Sequence, residues 1–195
     1  MKWLIILLTM FAGFNKAGDN ENVKIWTVGK ESKISILGSS NVNTFTFDIK
    51  EYSGKDTLVL LAQQAQAVFK KGTVHLPVND FKNSNPFLTK DFRKIIKSKI
   101  HPDILMNFRR LNSLPDAGAK SERITADVDI TLAGKTKTIR IMLMATRSGE
   151  FIYLKGAEKL FFTDFDLAAP ENIMGFINVN NDLTVNFQLA LKVLS

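Results

Sequence analysis

The sequence predicts an all-β fold of antiparallel strands, a barrel or a sandwich, carrying one amphipathic helix. Three observations predict it: apolar and polar residues alternate over much of the chain, turn residues separate the alternating runs, and a single central segment repeats its apolar residues at helical spacing.

The clearest strand is 124–132. Ile124, Ala126, Val128, Ile130 and Leu132 share one face, and Thr125, Asp127, Asp129 and Thr131 share the other. Such alternation marks a strand packed on one face and wet on the other. Ile139, Ile141, Leu143 and Ala145 then alternate with Thr138, Arg140, Met142 and Met144. A type II′ turn at Gly134-Lys135 would pair Ile130 with Ile139 and set Asp129 opposite Arg140. A second turn at Ser148-Gly149 would set Arg147 opposite Glu150 and Ala145 opposite Ile152. A three-residue loop, Asn180-Asn181-Asp182, would pair Val179 with Leu183 and Ile177 with Val185. Leu183, Val185, Phe187, Leu189, Leu191 and Val193 form the apolar face of the last strand. Earlier, Phe45, Phe47 and Ile49 alternate with threonines and Asp48, and Val74, Leu76 and Val78 flank Pro77, which places that strand at an edge or a bulge.

The helix follows Asn85-Pro86, a cap and a first helical residue. Leu88, Phe92, Ile95 and Ile96 fall on one side, and Lys90, Arg93, Lys94 and Lys97 on the other. The basic side reads either as a solvated face or as a docking surface for anionic headgroups.

Composition narrows the function. The chain has 195 residues, 45% of them hydrophobic and 23% charged, which suits one folded domain. It carries 15 Phe against 2 Tyr and 2 Trp, apolar area without polar tips. It has no Cys, which excludes disulfides, thiol nucleophiles, thiolate metal sites and a lipidated N-terminal cysteine. Lys2 precedes an uncharged apolar run of ten residues, Trp3 to Ala12, too short for a membrane span of about 20 residues and matched to a signal peptide. The expected division is a signal peptide at 1–17 and a β-barrel domain at 18–195. Export then places the protein in the periplasm or outside the cell. Loss of Lys2 and Lys16 lowers the net charge from +7 to +5. A basic balance favours anionic partners, of which nucleic acid is the least compatible with export.

Several segments together resemble one family. WTVGKESKISI at Trp26, FLTKDFRKIIKSKIHPDILMNF from Phe87, DITLAGKTKTIRI from Asp129 and LFFTDFDL from Leu160 occur in the order and spacing of the YceI-like family, bacterial lipocalin-like proteins that bind polyisoprenoids. The resemblance covers Trp26 to Val193. Glu31 stands where a His commonly precedes the Ser of the first motif, and Asp166 stands where the last motif usually has Gly. The resemblance implies an eight-stranded lipocalin-like barrel with a long apolar cavity and an isoprenoid tail inside.

The expected function is therefore an exported, non-catalytic protein that sequesters or carries an elongated apolar lipid, isoprenoid or quinone-like, with no other cofactor and no metal. Candidate wall residues are Phe45, Phe47, Ile130, Ile141, Leu143, Val185, Phe187 and Leu189, taken from the apolar faces. The alternative is an interaction module with a filled core that docks on a membrane or protein through Lys90, Arg93, Lys94 and Lys97. Catalysis is disfavoured: His75 and His101 are isolated, Asp164 and Asp166 lack a third ligand, and no phosphate loop or nucleophile elbow is present. N-terminal sequencing of protein expressed in a native-like host should give a mature start near residue 18; an intact Met1 in a cytoplasmic fraction would refute export.

Overall fold

The computed structural model describes residues 22–63, 66–115, 121–170 and 178–194. Eleven strand segments form one antiparallel sheet: β1 (Asn22–Val28), β2 (Lys33–Ser40), β3 (Thr44–Ile49), β4 (Thr57–Gln63), β5 (Gln66–Lys71), β6 (Thr73–Pro77), β7 (Asp103–Leu111), β8 (Glu122–Leu132), β9 (Lys135–Ser148), β10 (Phe151–Phe161) and β11 (Val179–Val193). One helix, α1 (Pro86–Ile95), lies between β6 and β7. The segments β1-β4-β5-β7-β8-β9-β10-β11 pair in turn, and β11 pairs back to β1. The sheet thus closes as the expected eight-stranded barrel.

The remaining segments lengthen the barrel at one end. β1 and β2 both lie antiparallel along β11, so they act as one strand interrupted at 29–32. β3 pairs with β2 as β4 pairs with β1. β5 and β6 both pair with β7, and they are separated by Gly72, whose carbonyl accepts from Phe108 N at 2.9 Å. A Cβ on Gly72 would lie 1.9 Å from the Phe108 carbonyl oxygen, so only glycine allows β7 this close. Pro77 sits in β6, which pairs with β7 and has no second ladder among the described residues, as an edge position requires.

One end is filled by buried side chains. Trp26 sets its ring edge-on to Phe69 at 6.2 Å, above fully buried Leu58, Leu60, Phe108, Ile124, Ile141, Leu143 and Leu189. The other end is closed by α1. Asn85 caps it by accepting from Phe87 N at 2.9 Å, and Pro86 is the first helical residue. Its Phe92 stacks on Phe47 of β3, with ring centroids 4.4 Å apart, and leans on Phe81 at 5.7 Å.

The hairpins depart from the expected registers. β8 and β9 turn at Ala133-Gly134, both with positive φ (50° and 83°), as in a type I′ turn. Ile130 therefore faces Lys137 rather than Ile139, and Arg140 bonds Asp127 at 2.7 Å rather than Asp129. β9 and β10 turn at Gly149-Glu150, so Ala145 pairs with Leu154 and Arg147 with Ile152. Each register is displaced by two residues, which preserves the buried face but changes its depth. The third expected hairpin does not form. β11 runs through Asn180-Asn181-Asp182, which make a bulge against β2; Asp182 pairs with Phe161 and its carboxylate meets Lys159 at 2.9 Å. Ile177 lies outside the described residues.

A polar clasp fastens the β3–β4 loop to β6. The buried Tyr52 hydroxyl donates to Asp56, which also accepts from His75 N at 2.6 Å and lies 3.0 Å from His75 Nδ1. Burial, followed by the hydrogen bond to Asp56, pushes the Tyr52 hydroxyl far above its ordinary range. Burial also opposes ionisation of Asp56, but the His75 backbone amide, the Tyr52 hydroxyl and the His75 ring together outweigh it and hold the carboxyl below its usual value.

Two outcomes follow. Gly134→Val should lower the melting temperature, costing about 1–2 kcal/mol for the left-handed backbone alone, with further loss because its Cβ would lie 2.7 Å from the His101 ring. An unchanged melting temperature would refute the turn. Asp56 has a depressed pKa, so its contribution is complete above the ordinary carboxylate pKa of about 3.9 and disappears as pH falls through the lower folded value. Asp56→Asn should cost about 1–3 kcal/mol at neutral pH, and the difference from wild type should shrink on acidification in pH-resolved denaturant titrations.

Candidate functional site: an apolar interior beneath α1

In the half of the barrel beneath α1 two strands part. β9 and β10 pair only between Leu143–Ser148 and Phe151–Gly156. Past that point β9 continues against β8 and β10 against β11. A short 3-10 turn at Phe162–Phe165 spans the gap, held by Lys137 to Asp164 and Lys135 to Asp166, each at 2.6 Å. Asp164 also accepts from Phe161 N at 3.0 Å. Asp166 adopts φ 53°, the left-handed conformation that favours Gly and that Asp tolerates. Hydrogen bonds from Lys137 and Lys135 hold the Asp164 and Asp166 carboxyls below their usual range.

Two neighbouring cavities occupy this half, of about 50 and about 30 Å³. The larger is lined only by apolar residues. β2 contributes Ile34 and Ile36, β7 contributes Ile104 and Met106, and β8 contributes Ile130 and Leu132. Phe92 and Ile96 close it from the helix side, and Phe162 and Phe165 from the 3-10 turn. The smaller lies between α1 and β3, against Leu88, Asp91, Ile95, Phe45 and Phe47. Ile36, Phe92, Phe162 and Leu183 line both and separate them.

The candidate wall residues divide between the two halves. Phe45 and Phe47 line the smaller cavity, and Ile130 and Val185 the larger. Ile141, Leu143 and Leu189 are buried in the packed half, and Phe187 packs against Gly156 at the boundary. Period-two patterning gives the inner face but not the depth along it. Phe92, Phe162 and Phe165 escaped the sequence reading of the wall. Their signal was present in the apolar stripe of the helix and in the LFFTDFDL segment. Glu158 also faces inward on β10; burial raises its pKa and Lys137 opposes the rise.

The basic side of the helix is less uniform than its spacing suggests. Lys90, Lys94 and Lys97 are exposed. Arg93 is half-buried and donates from Nη2 to the Asn79 carbonyl at 3.0 Å. Lys97 lies just past the helix end with φ 57°.

The groups that could have carried chemistry have structural partners. His75 belongs to the Asp56 clasp, and His101 lies under the Gly134 turn. Asp164 and Asp166 each pair with a separate lysine. Among the described residues, no three His, Cys, Asp or Glu side chains cluster as metal ligands.

The fold matches known structures. The chain is similar to a polyisoprenoid binding domain from Saccharophagus degradans implicated in plant cell wall breakdown, with a TM-score of 0.60 and 16% identity over 86% of this chain and 97% of that one. It is similar to BcnA of Burkholderia cenocepacia, with a TM-score of 0.57 and 16% identity over 82% of this chain and 96% of that one. A YceI protein of Campylobacter jejuni gives a TM-score of 0.50 and 18% identity over 63% of this chain and 71% of that one. No curated protein matches the chain. The model of the YceI-like domain matches residues 26–191, from Trp26 in β1 to Leu191 in β11, and the chain therefore belongs to the YceI-like family.

Proposed function

We propose that the protein sequesters or carries an elongated apolar lipid, isoprenoid or quinone-like, in the barrel half beneath α1, and that it does so in the periplasm or outside the cell after loss of residues 1–17. The lipid is cargo, and the protein is a binder rather than a catalyst. The observation that carries this reading is the larger cavity, whose sixteen lining residues are all apolar. Such a wall has no group to orient a polar ligand, and it rewards only the burial of hydrocarbon. Membership of the YceI-like family and the fold shared with the Saccharophagus degradans domain support the choice of an isoprenoid.

Occupancy requires movement. The two cavities, about 30 and about 50 Å³, are far below the ~300–1,000 Å³ of ligand sites. Of the four residues that stand between them, Phe92 is the one carried by α1. α1 contributes no strand to the ladder, so a shift of α1 breaks side-chain contacts and leaves the barrel intact.

Organic extraction and mass spectrometry of the purified protein should yield a stoichiometric apolar lipid, and adding isoprenoid alcohols or quinones to stripped protein should raise its melting temperature. Phe92→Ala should lower the unliganded stability by about 3–5 kcal/mol and enlarge the lipid-induced shift. Val185→Phe, at the wall of the larger cavity, should leave the fold intact and reduce that shift. No extractable lipid together with no shift would leave the alternative, a filled barrel that works through its surface.

A further inference from the structure

We propose that the outer face of α1 and the turn after it dock on an anionic lipid bilayer, seating the cavity end of the barrel on the membrane. Phe87, Lys90 and Lys94 recur at intervals of three and four residues, which places them on one stripe of α1, and Lys97 follows just past its end; all four are exposed. Phe87 is 70% exposed and Ile100 74%, the two most exposed large apolar side chains among the described residues. A single exposed apolar residue is ordinary. Here, however, two flank a row of lysines, joined by exposed Lys99. Lys90, Lys94 and Lys99 have no carboxylate partner among the described residues. Apolar side chains that enter the acyl boundary, ringed by lysines that meet phosphates, are the chemistry of an interfacial helix.

The opposite face of the same helix supplies the cavity wall. Leu88, Phe92 and Ile95 line the smaller cavity, and Asp91 faces that side, so its charge does not interrupt the lysine stripe. A second cationic surface, the outer groove at Lys70, Arg109, Arg110 and Arg140, lacks this character. Arg140 bonds Asp127 at 2.7 Å, Arg109 lies 3.7 Å from Asp129, and the aromatic residues lining the groove are not exposed. Docking through α1 places the plug against the source of an apolar lipid, so its purpose rests on the lipid-binding reading while the contact itself does not.

The test is flotation of the mature protein with phosphatidylcholine vesicles, with and without phosphatidylglycerol. Wild type should bind the phosphatidylglycerol vesicles and lose binding as salt rises. Lys90→Glu/Lys94→Glu/Lys99→Glu should weaken binding by at least about tenfold, and Phe87→Ser/Ile100→Ser should weaken it at low salt as well. Both variants should melt like wild type and keep the thermal shift with a detergent-dispersed isoprenoid alcohol. Lys70→Glu/Arg110→Glu should bind vesicles like wild type. No binding to phosphatidylglycerol vesicles, equal binding by wild type and both α1 variants, or an equal loss in the Lys70/Arg110 variant would overturn docking through α1. Vesicle binding without any isoprenoid shift would instead refute the lipid-carrier reading and leave the docking face standing.

Discussion

β11 has two neighbours on one edge and one on the other, and the barrel depends on how it manages them. Its outer edge pairs with β10 from Asp182 to Lys192. Its inner edge is shared, with β1 at Leu191–Val193 and β2 further along. Between these contacts the β1–β2 chain has four residues, 29–32, facing two residues of β11, so a regular ladder cannot run through. Gly29 N donates to the Ala190 carbonyl at 2.7 Å, and the Ser32 hydroxyl accepts from Ala190 N at 2.9 Å. Ser32 is wholly buried, and without its oxygen the Ala190 N–H would be an unmet donor in the wall. This side-chain patch lets one strand close the ring at one end and open into an added layer, β2 and β3, at the other.

The two ends consequently differ in what holds them. The packed end is filled by side chains, as an eight-stranded barrel permits, with its ladder shifted in register at Val59/Leu60 and at Phe108/Arg110. At the far end β9 and β10 part after Gly156, β5 gives way to β6, and β11 carries a two-residue bulge against β2. The opening is stopped by a helix and a 3-10 turn, not by more ladder. The turn is tied by two lysine–aspartate pairs, Lys135–Asp166 exposed and Lys137–Asp164 half-buried; the exposed pair contributes little energy. Elements held by side chains separate from the scaffold at lower cost than strands do.

α1 joins the two surfaces that matter. Its inner stripe supplies Phe92, stacked on Phe47, and its outer stripe supplies lysines and an exposed Phe. One ten-residue helix is thus both the inner wall of an apolar interior and the outer face of the molecule at that end. Phe92 is one of the four residues that separate the two cavities, so α1 links the outer stripe to that partition.

The faces of the barrel were legible in the sequence because side chains alternate with a period of two. A register displaced by two residues leaves every inward residue inward, so Ile130, Ile141, Leu143 and Leu189 are buried although the hairpin partners differ from expectation. The helix, its Asn85 cap and Pro86 start were equally local, set by backbone groups within a single turn. Depth and pairing were not local. Lys135 and Lys137 take their places because Asp166 and Asp164 wait across the gap, and Ala133-Gly134 becomes the turn with His101 beneath it. Asn180-Asn181-Asp182 has the composition of a loop, yet it is a bulge because β10 and β2 lie on either side of it. Sequence by itself determined which side of each strand meets the interior; only tertiary closure decided which of those residues fill the barrel and which line a cavity, because that depends on partners far away in the chain.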